Sequence, residues 1–168
     1  MDKRQKISML TKIGRSINEL KKSNRVKDVE FDESKDVKKI NSTDTVISFK
    51  LVYIISSERE IFSPQLTFIF KHKQDSNISS LTCKVGIEKK TDLEAEDYGD
   101  ILSRLNKFRE TAKAYIDLDL NVVVLSSESY VPSDIYSNQK MLDEMVVKLS
   151  TNVVHLLIEL GRIFFEEE

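Results

Sequence analysis

His72 and His155 are the only imidazoles in the chain, and Cys83 is its only thiol. A zinc site built on them needs carboxylates to complete four-coordination, and the two histidines stand far apart in sequence. The plainer reading puts His155 at the edge of the buried face of a terminal helix and His72 at the end of a strand. Asp117 and Asp119 alternate along an expected strand and point the same way, but a hard cation takes about six to eight oxygens. The solvent face of a hairpin strand near its turn accounts for both with no ligand. Ser126, Ser127 and Ser129 flank Glu128 with neither a neighbouring histidine nor the glycines of a nucleophile elbow, and they read as the end of an edge strand. Glu94, Glu96, Asp97 and Asp100 are explained by the positive end of a helix dipole, which favours carboxylates. Gly14, Gly86, Gly99 and Gly161 are the only glycines and are isolated from one another, so no glycine-rich loop brings backbone N–H groups to a phosphate. The residue types point to no catalytic group, no cofactor and no metal. The expectation is a non-enzymatic protein.

The elements that would position these side chains follow from hydrophobic rhythm. Ile101, Leu102, Leu105, Phe108 and Ala112 recur at helical spacing after Asp97 and Asp100. The period then changes to two: Ala114, Ile116 and Leu118 alternate with Tyr115, Asp117 and Asp119, and after a break near Asn121 the β-branched run Val122, Val123 and Val124 continues to Ser126. This predicts a hairpin over residues 113–127, closed by Pro132 and Asp134. From Asn138 the set Met141 or Leu142, Met145, Val146, Leu149, Val153, Leu156, Leu157 and Leu160 keeps the i, i+3, i+4 rhythm of a long helix.

Upstream, Ile7, Leu10, Ile13, Ile17 and Leu20 share one side of a helix over about residues 4–22, where Gly14 costs about 1 kcal/mol relative to alanine. Val29 and Phe31 mark a short strand, and 32–44 is a polar loop. Three alternating runs come next: Ile47, Phe49, Leu51, Tyr53 and Ile55; then Leu66, Phe68 and Phe70, entered through Pro64; then Leu81, Cys83, Val85 and Ile87, with Thr82, Lys84 and Glu88 facing water. An antiparallel meander satisfies them most economically. The fold class is therefore α+β: an antiparallel sheet of about five strands with helices on one face, in the order α-(β)-β-β-β-α-β-β-α. The domain reading is a basic amphipathic helix over 1–25 and a single α+β domain over 26–168, together one globular unit.

That order, with the run "LNKFRETAKAYIDLDLNVVVLSSESYVPSD" followed by "LDEMVVKLSTNVVHLLIEL", resembles the YbjN-like family of small bacterial proteins, whose fold is similar to that of type III secretion chaperones. The matching features span about residues 97–160: Leu105 and Asn106 late in the central helix, the "AYIDLD" strand, the second hairpin strand and the leucine-spaced terminal helix. The basic first helix and the polar loop are not part of the pattern. The resemblance implies a non-enzymatic fold that dimerises and binds other proteins.

Charge and composition set the remaining expectations. The chain has 168 residues with 26 basic and 28 acidic side chains, enough for one domain with a real core. Residues 1–27 hold nine of the Lys and Arg against only Asp2 and Glu19, so the basic charge is gathered at one end. A single cysteine allows no intrachain disulfide and fits a reducing cytoplasm. The most apolar window, 146–165, contains Lys148, Glu159 and Arg162, each costly at a bilayer centre, and Lys12 and Arg15 interrupt the N-terminal apolar residues that a secretory signal would need. No membrane span is expected.

Two readings of function lead, with a third, an enzyme or small-ligand binder on the concave face of the sheet, left open because one sequence does not show a pocket. The first is a protein-interaction module, chaperone-like or adaptor-like and homodimeric, whose contacts to a protein partner are Ile7, Leu10, Ile13 and Ile17 on a helix that a partner exchanges or displaces. The alternative is a nucleic-acid-associated accessory protein that holds phosphates with Lys3, Arg4, Lys6, Lys12, Arg15, Lys21 and Lys22. The first aromatic residue is Phe31, so base stacking on this helix is not expected.

Overall fold

The computed structural model describes residues 3–22, 26–30, 45–53, 55–56, 61–73, 78–89, 93–107, 112–132 and 138–166. In chain order these form α1 (Lys3–Lys21), β1 (Val26–Glu30), β2 (Thr45–Tyr53), β3 (Ile55–Ser56), β4 (Ile61–Phe62), β5 (Gln65–Lys73), β6 (Ile78–Glu88), α2 (Ala95–Lys107), β7 (Ala112–Asp117), β8 (Val122–Tyr130) and α3 (Gln139–Glu166). The class is α+β, and the order is the expected one. Six strands make one sheet in the order β1-β2-β5-β6-β8-β7, and β3 pairs with β4 in a separate two-stranded ribbon. Every pairing is antiparallel. The meander is β2-β5-β6, and the late hairpin extends it past β6.

The period of two decides which face is buried. Phe49 and Leu51 on β2, Leu66, Phe68 and Phe70 on β5, Leu81, Cys83 and Val85 on β6, Val123 and Leu125 on β8, and Ala112 and Ala114 on β7 are all buried. The register lines them up in rows: Phe49 beside Phe68, Phe68 beside Cys83, Cys83 beside Ser127 and Ser127 beside Ala112. The helices cover this side, and their buried side chains join the same cluster: Met9, Ile13, Ile17 and Leu20 from α1, Tyr98, Ile101 and Leu105 from α2, and Leu142, Val146, Leu149, Val153, Leu156, Leu157 and Leu160 from α3. Each such aliphatic or aromatic side chain contributes about 1.5–3 kcal/mol by leaving water. Along the opposite side, exposed Lys71 and Lys113 and half-buried Thr67, Lys84 and Ser126 alternate with the core residues.

Helix ends are set by side chains. Asn138 caps α3, its Oδ1 accepting from the Met141 N–H at 3.2 Å, and the Asp97 carboxylate reaches back to accept from the Glu94 N–H at 2.8 Å, one half of a capping box. The choice left open between Met141 and Leu142 falls to Leu142, which is buried while Met141 is exposed.

Several expectations are corrected. Ala112 is not in the central helix, which ends at Lys107, but opens β7. Leu118 and Asp119 are not strand residues; they lie in the turn between β7 and β8. Their alternation continued past the last residue that can pair, because Asp117, opposite Val122, already closes the ladder. Ser126, Ser127 and Ser129 do not sit on an edge strand: β8 lies between β6 and β7, and Ser127 is buried. His155 is exposed on α3 rather than on its buried margin. Phe31, Phe108, Asp134 and the 32–44 loop lie outside the described residues.

Candidate interaction surfaces

Among the described residues, no group of three or more His, Cys, Asp or Glu side chains is placed to hold a metal ion. His72 is buried on the helix-facing side of β5, near the strand's end, with its Nδ1 2.9 Å from the Ser79 hydroxyl. The Ser79 carbonyl in turn accepts from the Val131 N–H at 2.8 Å. These bonds tie the end of β5 and the start of β6 to the chain leaving β8. Cys83 is wholly buried, and burial pushes its thiol far above the ordinary range, so it behaves as a small apolar core residue. Asn152 of α3 donates to the buried Ser127 hydroxyl at 3.2 Å, joining the longest helix to the sheet beneath it.

The first surface is the seat of α1. Met9, Ile13, Ile17 and Leu20, at helical spacing, are buried, and the helix packs on α3 and on β1. A polar latch fastens it to the start of α3. The Ser16 hydroxyl donates to Asp143 Oδ1 at 2.6 Å, while Gln139 Nε2 lies 2.8 Å from the Ser16 oxygen, 2.9 Å from Asp143 Oδ1 and 3.2 Å from the Lys12 carbonyl. Asp143 thereby has donors from both helices, as a half-buried carboxylate requires. Of the expected partner contacts, Ile13 and Ile17 lie in the core beneath α1; the side chains of Ile7 and Leu10 are outside the described set. Of the expected anion-binding residues, Arg4 and Arg15 are exposed and Lys12 is half-buried. Lys22 is exposed and paired with Glu19 at 2.8 Å; Lys3, Lys6 and Lys21 have undescribed side chains. The described cations therefore share the outward side of one helix without converging on a point.

The second surface is the far edge of the sheet with its hairpin tip. Asp117 Oδ1 accepts from the backbone N–H groups of Asp119 and Leu120, both at 3.1 Å, and Asn121 takes a left-handed φ of 53°, a conformation that asparagine tolerates better than most residues. Asp117 is thus a turn-organising group rather than a ligand. The turn holds Leu118 and Leu120 in water, 83% and 70% exposed. Tyr115, 45% exposed, lies on the open side of β7, and burial together with the Asp117 carboxylate raises its phenol above the ordinary value.

Behind the tip, β7 is an outer strand of the sheet. Asn106, in the last turn of α2, meets it with both ends of its amide: Nδ2 donates to the Ala114 carbonyl at 2.9 Å, and Oδ1 accepts from the Ala114 N–H at 2.8 Å. A side-chain amide thereby makes the two bonds that one residue of a neighbouring strand would make. Hydrophobic rhythm registers neither contact: the latch joins polar side chains far apart along the chain, and the clamp joins a side-chain amide to the backbone of another element. The turn itself was legible as the break near Asn121; the structure adds Asp117 as its organising acceptor.

No protein-family model, no curated protein and no solved structure matches this chain. No helix among the described residues is long and apolar enough to cross a membrane.

Proposed function

We propose that the chain is a non-enzymatic protein-interaction module, chaperone-like or adaptor-like, that binds a protein partner in the cytoplasm and works as a homodimer. The observation that carries this reading is the placement of α1. The helix presents the apolar set Met9, Ile13, Ile17 and Leu20 to the body and packs on α3 and the outer strand β1. A partner that draws α1 away gains both that face and the strip of α3 beneath it, an exchange of one amphipathic helix for another in a groove. Ile7 and Leu10 belong to the same sequence pattern and extend the partner contact.

Pulldown with mass spectrometry at physiological salt, on the full chain and on a chain lacking residues 1–27, tests it. A specific protein that the full chain captures and the truncated chain loses places the contact on α1; one captured more strongly after truncation places it on the seat that α1 vacates. A full chain that sediments as a monomer and captures no protein overturns the reading.

The alternative, a nucleic-acid-associated protein, draws on the outward exposure of Arg4 and Arg15. It requires binding to labelled DNA or RNA that weakens steeply with added salt and disappears with residues 1–27; affinity unchanged by that truncation disposes of it.

A further inference from the structure

We propose that the open face of the sheet is a binding lane for a single-stranded nucleic acid, laid across the strands with its phosphates on Lys84 and Lys113 and a base on Tyr115. The lane uses no part of α1, so it stands apart from the protein-interaction reading above.

Register builds the lane. On the side of the sheet away from the helices, Thr67, Lys84, Ser126 and Lys113 stand opposite one another on β5, β6, β8 and β7. Lys50 of β2 continues the row beside Glu30 of β1. Neighbouring strands lie about 4.8 Å apart, so Lys84 and Lys113 are about 10 Å apart along the row, with the Ser126 hydroxyl between them. Among the described residues neither ammonium is in an ion pair. The Ser126 hydroxyl rests 3.5 Å from the Lys113 carbonyl, too far to hold its proton firmly. Every side chain from Thr67 to Lys113 in this row can donate and none is a carboxylate, so the row suits an acceptor-only anion repeated along a chain.

The next row supplies a floor for bases. Gly86, Val124 and Tyr115 stand opposite one another. Gly86 is exposed and bears no side chain, and Tyr115 lies two residues from Lys113, about 7 Å along the same face of β7. An exposed ring beside an ammonium lets a base stack while its phosphate is held, which favours a nucleic acid over an acidic peptide. Carboxylates mark the borders: Glu128, opposite Thr82, on one side, and Glu88 and Asp117, both opposite Val122, on the other. They repel a polyanion from the flanks and keep it on the two rows between them.

Fluorescence anisotropy of a labelled oligouridine about a dozen nucleotides long, titrated with the full chain across a salt series, tests this. The logarithm of affinity is expected to fall with the logarithm of salt at a slope of about −2, the value for three phosphate contacts. Lys84→Gln with Lys113→Gln is expected to make that slope shallower by about 1.4. Tyr115→Leu is expected to weaken binding about tenfold, whereas Tyr115→Phe, which keeps the ring, stays within about twofold of the wild type. Arg4→Gln with Arg15→Gln on α1 is expected to leave both affinity and slope as they are. A chain that binds no oligouridine at low salt overturns the proposal. So do lysine variants or Tyr115→Leu that keep the circular dichroism spectrum and bind as the wild type does, and so does loss of binding on changing Arg4 and Arg15 alone. Displacement of the oligonucleotide by an equal charge of polyglutamate also overturns it and points to an acidic protein instead. Capture of a protein partner through α1 is read separately, so an inert sheet face contradicts this inference alone.

Discussion

α1 and α3 are both amphipathic helices on the same side of the sheet, yet they stand in different relations to the rest of the molecule. α3 packs against β6, β7 and β8 as well as both other helices, while α1 packs on α3 and β1. The apolar stripe of α3 meets several non-local partners at once and is bonded to the sheet through Asn152 and Ser127. The stripe of α1 is as regular, and a polar fastening ties it to α3 through Ser16, Gln139 and Asp143. Amphipathicity shows that a helix buries a face. How many elements that face engages decides whether its loss unfolds the domain or only frees a helix.

Substitutions ordered by expected effect sharpen this contrast. Leu156→Ala in α3 removes a core side chain and is expected to lower global stability by about 2–5 kcal/mol, read as a lowered denaturation midpoint by circular dichroism. Ile17→Ala makes the same kind of cavity beneath α1, but its expected cost is near the low end, about 2 kcal/mol, because α1 can detach before the sheet opens. Hydrogen exchange should show α1 amides losing protection while β5 and β6 keep theirs. Equal loss of protection in both regions would erase the distinction between the helices. Ser16→Ala in the latch is expected to cost about 1 kcal/mol and to speed exchange in α1 preferentially. Asn138→Ala, which removes the cap of α3, costs about 1 kcal/mol as well, with its effect confined to the first turn of α3. Leu118→Ser with Leu120→Ser at the hairpin tip should change stability by no more than about 0.5 kcal/mol, since both side chains already stand in water; a larger loss of melting temperature would mean that the tip packs on something.

Much of the fold was legible because burial follows period. Leu66, Phe68 and Phe70 alternate as a half-covered strand must, and they are buried; Leu149, Val153, Leu156 and Leu160 keep the helical beat, and they are buried too. Where two rhythms met, the boundary slipped. Ala112 fits the end of a helix and the start of a strand equally well, and Leu118 carries a strand's alternation one residue beyond the last pair. Ser127 looked like an edge residue because hydroxyls tolerate water, but here a buried amide, Asn152, replaces that water.

The candidate surfaces divide in the same way. The basic outward side of α1 and its apolar inward side are facts of spacing, and sequence alone determines them. That Ile13 and Ile17 are sealed against the body, that Asp143 and Ser16 meet across 127 positions of chain, and that Asn106 rests on the edge of β7 were decided by tertiary structure. Hydrophobic periodicity is a property of neighbours along the chain. A hydrogen bond between distant residues, or a strand's place at the rim or the middle of a sheet, depends on the order in which the strands assemble, and local rhythm carries no record of that order.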